Sequence, residues 1–409
     1  MNILYLNTTY LCGGAEKVTN QIFDGMRSRN HNVYEIVSYH KRPESPKSGV
    51  NVLYQGIPML ILNRLQTGNH NNASLTIPYS KHMILQFIKE KNIDIVHLHN
   101  AHGNFLGIRD ITAIADICPV IWTVHDFWPL TGHCASPIGC DNQWITGCTS
   151  CKQLSNYPPL KKEISHKLWM EKKKAFSHPN IHFVTPSYWM LLQLKNSHLK
   201  NADSQCISNS IDTSLWIPYN KQELRNKHQI PENKKILSFV AADPAKKTKG
   251  MHLLLEALSK LPNPEQYLLL IAGEKRNLND IENAGFSIRH FGYITDQKQM
   301  NEFYSMADIL INPSLYETFG LVSIEAMASG TPVIAFSICA MEEIISPECG
   351  WCIKPQNTDL LSNTIQSAFS PDYDLPKMSI SARDRVEHHY SETDMLTAYE
   401  NLYKKVVTS

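Results

Sequence analysis

Short apolar runs alternate with amphipathic stretches along most of the chain, and the alternation runs through twice. In the first half the runs read as strands at Ile3–Leu6, Val33–Val37, Ile95–Leu98, Val120–Val124, His182–Thr185 and Gln205–Ile207. Each is short and mostly apolar. A helix from about Ala15 places Val18, Ile22 and Met26 on one side, the spacing of a single buried stripe. Residues 40–80 break the pattern: they are polar, Asn-rich and punctuated by Pro, and a long mobile loop region is expected there. A second set of strands follows at Ile236–Val240, Tyr267–Ile271, Ile288–Phe291, Asp308–Ile311 and Val333–Ala335, with helices near 250–260, 296–306 and 319–329. Between the two sets, Arg225 to Lys235 includes Pro231-Glu232-Asn233 and reads as an interdomain linker. The closing stretch from Glu392 to Val407 sets Met395, Leu396, Tyr399, Leu402 and Tyr403 at helical spacing. Strands that alternate with helices predict parallel sheets joined by crossover helices. The expectation is an α/β chain with two consecutive Rossmann-like domains, residues 1–224 and 235–390, and a terminal helical segment, 391–409. Ligands of such sheets lie beyond the carboxyl ends of the strands.

Composition narrows the class. A chain of 409 residues with 43% hydrophobic content has enough apolar material for two cores of about 200 residues each. No run reaches the ~18 apolar residues that span a bilayer. The opening Met-Asn-Ile-Leu-Tyr-Leu-Asn reads as a strand, without the basic flank and apolar core of a signal peptide. A net charge of +1 argues against a general nucleic-acid binder. Ten cysteines without a secretion signal suggest reduced thiols or metal ligands, and a cytoplasmic protein is expected.

The densest chemistry lies in N-P-S-L-Y-E-T-F-G-L-V-S-I-E-A-M-A-S-G-T-P-V-I-A-F, where Glu317 and Glu325 stand eight residues apart. A strand runs into a short loop carrying Glu317, and a helix is expected to open near Phe319 and Gly320, with Glu325 about 9 Å along it, roughly two turns in. Backbone N–H groups of Thr318, Phe319, Gly320 and Leu321 would point out of the helix mouth, where the dipole favours an anion. A diphosphate at the mouth, with a sugar and a ribose held by the two carboxylates, fits that layout. The stretch resembles the E-x7-E signature of the retaining nucleotide-sugar glycosyltransferases of family 4, which have the GT-B fold. Ala307-Asp308, Pro313-Ser314, Glu317, Phe319-Gly320, Glu325-Ala326, Gly330 and Pro332-Val333 all match the family's pattern. The resemblance implies two parallel sheets facing a central cleft and a C-terminal helix that returns to the N-terminal domain. It implies that Glu317 orients donor sugar hydroxyls and Glu325 the ribose.

Other positions carry weaker signals. Gly13-Gly14 follows the first strand, where glycine lets the backbone approach a ligand closely. It resembles the family loop that touches the donor diphosphate or the acceptor, though turn chemistry alone would also explain it. His125-Asp126 ends the strand Val120–Val124, so its imidazole faces the ligand side. The alternative is a structural histidine satisfied by Asp126. The run T-V-H-D-F-W-P-L-T-G-H-C resembles the family segment whose His contacts the donor sugar. His97 and His99 alternate on one strand and share a face, as core or cleft-wall residues. Lys249-Gly250 matches the family's phosphate-clamping K-G, but the loop A-A-D-P-A-K-K-T-K-G has Asp243 and Pro244 where the family places Arg. Lys246 or Lys247 would then substitute only in part, since an ammonium lacks Arg's bidentate fork.

Cys134, Cys140, Cys148 and Cys151, within eighteen residues after His133, suit a structural zinc ion. Two disulfides or four free thiols remain alternatives. Cys349-Gly350-Trp351-Cys352 has redox-dithiol spacing but falls on an expected strand. The lysines between 161 and 174 alternate with Leu168, Trp169 and Met170, as a basic membrane-surface helix or an ordinary solvated one.

The resemblance covers nearly the whole chain and looks most like bacterial exopolysaccharide and capsule enzymes. It implies sugar transfer from a UDP- or GDP-sugar to a glycan or lipid-linked glycan hydroxyl, at the inner face of the membrane. No cofactor is expected for catalysis, since no D-x-D metal motif falls at a matching place. The loss of the phosphate-loop Arg leaves an inactive sugar-binding or accessory subunit as the second reading. A GT-B phosphorylase or epimerase is the third, without an identifiable pyridoxal lysine.

Overall fold

The computed structural model describes residues 1–10, 13–39, 46–67, 75–275 and 287–408. The chain divides into two compact units: residues 1–208 with the segment from Leu396 onward, and Asn209–Met395.

Unit 1 contains, in chain order, β1 (Asn2–Thr9), α1 (Gly14–Ser28), β2 (Asn32–Tyr39), β3 (Val50–Val52), α2 (Gly56–Thr67), α3 (Pro78–Glu90), β4 (Ile95–Leu98) and α4 (Ile108–Ala115). It continues with β5 (Val120–Thr123), α5 (Gln143–Thr146), α6 (Ser165–Ala175), β6 (Ile181–Thr185), α7 (Tyr188–Asn196) and β7 (Ser204–Cys206). Among the described residues these strands form one sheet in the order β3-β2-β1-β4-β5-β6-β7, parallel throughout. The order reverses between β1 and β4, where Ile3 pairs with Ile95. Such a reversal leaves a crevice at the carboxyl ends of the two strands. Both central strands are buried on both faces, which explains why they read as unbroken apolar runs rather than alternating ones.

Unit 2 contains α8 (Lys221–Lys227), β8 (Lys235–Val240), α9 (Met251–Ser259), β9 (Tyr267–Ala272), β10 (Ile288–His290), α10 (Gln297–Met306), β11 (Ile309–Asn312) and α11 (Leu321–Ala328). There follow β12 (Val333–Phe336), α12 (Met341–Ile344), β13 (Gly350–Ile353), α13 (Thr358–Ser367), α14 (Leu375–His389) and the start of α15 (Glu392–Thr408). Its parallel sheet has the order β10-β9-β8-β11-β12-β13 among the described residues, with the reversal between β8 and β11. Core clusters cover both faces, one around Phe303, Tyr304 and Ile324, the other around Leu254, Leu269 and Ile311.

Two expectations from the pattern are corrected. The region 40–80 is not a long loop: β3 and α2 lie inside it and α3 begins at Pro78, while 40–45 and 68–74 fall outside the described residues. The polar stretch 225–235 is not a linker but part of unit 2. Arg225 is buried and donates to Met306 O at 2.9 Å and to Asp308 Oδ1 at 2.8 Å, and Asp308 Oδ2 accepts from Ile236 N–H. Ile230 joins the core. The polar surface of this stretch hides one deeply paired cation.

The last helix uses its apolar stripe within unit 1. Tyr399 and Tyr403 are buried, their hydroxyls bonded to Thr123 Oγ1 at 2.9 Å and His97 Nδ1 at 2.7 Å. Gly25 of α1 makes room for it, since a Cβ there would meet Leu396 Cδ1 at 2.4 Å.

Candidate functional site

In unit 1 the signalled residues gather at the carboxyl ends of β1, β4 and β5. His97 and His99 share a face as their alternation predicts, with ring centroids 4.2 Å apart. Their environments differ. His97 has both nitrogens engaged, by Tyr403 and by Thr123 Oγ1 at 2.8 Å, so it is a core histidine. His99 Nδ1 lies 2.8 Å from His125 Nε2, and the two rings stack at 5.1 Å. Burial pushes the His125 imidazole down to about 4, and burial with neighbouring histidine charge depresses His97 and His99 as well. Each is therefore neutral near pH 7, able to donate and accept hydrogen bonds but not to act as a standing cation.

Asp126 does not satisfy His125. Its Oδ2 pairs with His102 Nε2 at 2.8 Å and its Oδ1 accepts from Trp128 N–H at 2.8 Å. Burial would raise this carboxyl, but His102 and the Trp128 N–H outweigh it and hold it below the usual range. The His102–Asp126 pair went unread in the sequence, because the two stand on different loops with no characteristic spacing.

Gly13 is the residue before α1, and its carbonyl accepts from Lys17 N–H at 3.1 Å. A Cβ at Gly13 would meet Glu16 Oε2 at 2.8 Å, so the glycine leaves room for a carboxylate at the mouth of α1. Glu16 also accepts from Thr9 Oγ1 at 2.7 Å. A carboxylate in this position repels a phosphate and welcomes a hydroxyl.

In unit 2 the loops after β8 and β11 flank the strand-order reversal. Lys249 ends a short turn, and Gly250 follows at φ +75°, where a Cβ would lie 1.9 Å from Pro313 O. Only glycine lets the two loops touch this closely. Leu315 N–H then donates to Thr248 O at 2.8 Å, and Lys249 Nζ meets Glu317 Oε1 at 2.5 Å. Ser314 Oγ donates to the same carboxylate oxygen at 3.2 Å. Sequence reading named Lys249 and Glu317 separately; the fold joins them as an ion pair. Lys246 and Lys247 are exposed and make no ion pair among the described residues. Asp243 and Pro244, in the place of the family's Arg, shape the turn: Asp243 Oδ1 accepts from Ala245 N–H at 3.0 Å, and Pro244 packs against Gly273.

Helix α11 opens at Leu321 rather than Phe319, because Gly320 adopts φ +115° as its N-cap. Thr318 and Phe319 therefore lie in the approach loop, and Phe319 is a core residue whose ring meets Tyr390 at 5.6 Å. Leu321 and Val322 head the helix, while Ser323 N–H already bonds Gly320 O at 2.9 Å. Glu325 is the fifth residue of α11, little more than one turn in, and not two. It is only 5% exposed, and its Oε2 accepts from Tyr304 O–H at 3.0 Å.

The fold brings the four loop cysteines within electrostatic reach of one another, Cys148 with Cys134, Cys140 and Cys151. Among the described residues no three His, Cys, Asp or Glu side chains are placed to hold a metal ion. Cys134, Cys140, Cys148 and Cys151 are free, so the disulfide alternative is not realised either. Cys148 Sγ accepts from Gly132 N–H, and Cys151 Sγ lies 3.6 Å from His133 Nε2. Burial lifts the Cys134 thiol to about 12 and that of Cys148 to about 11. The loop is pinned instead by Lys172, which donates to Trp128 O and Thr131 O and lies 3.8 Å over the Trp128 ring. Lys172, Leu168 and Trp169 are all buried, so α6 turns most of its apolar side to the core, while Met170 is exposed. Cys352 sits on β13 and Cys349 just before it, with no disulfide between them.

Two Rossmann-like domains with crevice loops of this composition define the GT-B class of glycosyltransferases. Two family profiles match in succession, Glycosyltransferase Family 4 over residues 12–215 and Glycosyl transferases group 1 over residues 220–385. The chain belongs to glycosyltransferase family 4. It is 25% identical over 99% of its length to all of WcaC of Escherichia coli (strain K12), whose name assigns it to colanic acid biosynthesis as a glycosyl transferase. Sucrose-phosphate synthase from Thermosynechococcus elongatus superposes with a TM-score of 0.77 at 19% identity, over 100% of this chain and 99% of that one. HepE from Anabaena, in complex with UDP-glucose, superposes at 0.69 and 15% identity, over 99% of this chain and 100% of its own.

Proposed function

We propose that the protein is a retaining glycosyltransferase that moves a sugar from a nucleoside diphosphate-sugar to a hydroxyl of a lipid-linked glycan in polysaccharide assembly. The Lys249–Glu317 pair beside the mouth of α11 carries this reading. Without donor the two charges neutralise each other. An incoming diphosphate would draw the Lys249 ammonium and take up the N–H groups at Leu321 and Val322. Glu317 would be freed to accept from donor sugar hydroxyls. Glu325, with Tyr304 behind it, would hold the ribose.

As the bond between the anomeric carbon and the phosphate oxygen breaks, negative charge grows on the leaving diphosphate, where Lys249 and the helix mouth stabilise it. The acceptor oxygen would attack on the same face and pass its proton to the departing phosphate, which preserves the anomeric configuration. His125, neutral and half-buried, would donate to a donor sugar oxygen. Glu16, beside Gly13-Gly14, would accept from an acceptor hydroxyl; this favours the acceptor over the diphosphate for that loop. WcaC's name supports polysaccharide assembly as the setting, and the HepE complex makes UDP-glucose the first donor to test.

The test compares Glu317→Gln with Glu325→Gln. Glu317→Gln is expected to lower kcat with little change in KM, and Glu325→Gln mainly to raise the donor KM. An NMR assignment of the product anomer decides retention. Unchanged turnover in Glu317→Gln overturns the site assignment, and an inverted product overturns the mechanism.

A further inference from the structure

From Val124 to Ile164 the chain forms one helix, the four-residue α5. Stretches this long without regular structure are uncommon in compact domains and are mostly functional or disordered, yet this one buries Trp128, Leu130 and Trp144. Four cysteines lie inside it. Cys134 is within electrostatic reach of Cys140 and Cys148, and Cys148 of Cys140 and Cys151, and none is bonded to another. The backbone is built around two of the sulfurs. Gly132 N–H donates to Cys148 Sγ at 3.1 Å, and Gln153 N–H to Cys151 Sγ at 3.4 Å. A neutral thiol is a weak acceptor, whereas a thiolate makes the stronger, charge-assisted bond. The turn between these two cysteines holds Cys148 and Ser150 at φ 53° and 55°, a left-handed conformation that residues other than glycine rarely take. His133 donates Nδ1–H to Pro158 O at 2.9 Å, which leaves its Nε2 lone pair 3.6 Å from Cys151 Sγ.

We propose that Cys134, Cys140, Cys148 and Cys151 bind one zinc ion that staples this loop. Four sulfur donors from one chain segment fill a tetrahedral shell, and thiolate ligands favour zinc over the harder divalent ions. As the thiols stand, their sulfurs do not converge on one point, and rotation about a single bond, χ1, swings each of them. On binding, each S–H bond breaks, its proton passes to solvent and the sulfur lone pair forms the bond to zinc, with no change of oxidation state. With every position taken by sulfur, the ion keeps none open for water or substrate, so its role is to hold the loop. What it holds lies close by. Ala135, next to Cys134, accepts from Phe127 N–H at 2.9 Å, and Phe127 follows His125 and Asp126 directly. That the staple thereby steadies His125 for sugar transfer rests on the function proposed above; the metal site itself does not.

Metal analysis of the full chain, purified without a polyhistidine tag or chelator, tests it. About one zinc per chain should co-purify, as one four-ligand site requires. Cobalt exchanged into the site should show the visible bands of a tetrahedral ion together with sulfur-to-cobalt charge transfer. A chelator that strips the ion should lower the melting temperature, and returned zinc should restore it. Zinc should also shield the four loop thiols from alkylation, read cysteine by cysteine in a mass spectrometer. Cys148→Ser combined with Cys151→Ser should lose the ion. Cys349→Ser combined with Cys352→Ser, at the other C-x-x-C pair, should keep it, and so should His133→Ala. If the loop variant fails to fold, the alkylation pattern of the wild type with and without chelator decides the same point. None of these readouts needs turnover, so the site stands or falls apart from the proposed activity. A wild-type protein that holds no zinc and takes up none when it is added overturns the proposal. So do disulfides among the four loop cysteines, iron in place of zinc, or loss of the ion in His133→Ala.

Discussion

His125 and Lys172 show how burial sets charge at single residues. With the His125 imidazole at about 4, its charge does not change between pH 5.5 and 8. His125→Ala is expected to lower kcat/KM by about 10²-fold, a fraction of the range open to a positioned hydrogen-bond donor. The ratio of wild type to variant should stay level across that interval. A ratio that collapses near pH 6.5 would show an imidazolium at work instead. Lys172 is pushed by burial from 10.5 to about 7. Between those values the unfolded chain holds the proton that the folded chain has lost, so this residue makes stability rise with pH across the window. Wild type should therefore gain on Lys172→Met in urea midpoint as pH goes from 7 to 10; a constant difference would mean that Lys172 titrates normally. The sequence singled out His125, Lys249 and Glu317 as candidates, because each sits where a strand meets a loop or helix. It missed the partners: Lys249 with Glu317, His99 with His125, and His102 with Asp126 are joined by sheet register and loop closure, which no local spacing encodes. Lys172 was read as one of a row of surface lysines, since a buried cation and a solvated one look alike in a sequence.

At the scale of elements, the loops that carry the site depend on two glycines with opposite duties. Gly320 caps α11 in the left-handed region and fixes where its N–H groups point, and Met341 packs so close that a Cβ would come within 2.3 Å of its Cε. Gly250 presses the Lys249 loop against Pro313. Gly250→Ala should cost more than the ~1–2 kcal/mol of a left-handed backbone alone, because the clash with Pro313 O adds to it. It should also lower kcat/KM by displacing Lys249. An alanine variant with wild-type urea midpoint and turnover would mean that the loop contact is dispensable. Most strands were legible from their apolar runs, down to the bounds of β4, because burial on both faces leaves few polar positions to blur them. β3 and α2 were not legible. β3 is a short edge strand of Val-Asn-Val, and α2 turns its apolar side outward, so neither carries the pattern of a packed element. The start of α11 was misplaced by two residues because a glycine N-cap has no side-chain signature.

For the molecule as a whole, the second run of the strand–helix alternation was visible in the sequence, and the strand orders explain it: each sheet reverses direction after its first strand, so each begins again with a central strand. The boundary was harder to see, because Arg225 and its neighbours look like linker until Asp308 is found beside them. In the proposed mechanism the leaving diphosphate is held by Lys249 and the mouth of α11. Release of nucleoside diphosphate from a panel of UDP- and GDP-sugars, measured for wild type and Lys249→Ala, tests it most directly. Wild type should release the nucleotide from at least one donor, and Lys249→Ala should lose about 10²-fold or more in kcat/KM, as expected for a charged contact that strengthens in the transition state. A wild-type protein that releases nucleotide from no donor, or a Lys249→Ala enzyme within about threefold of wild type, would contradict it.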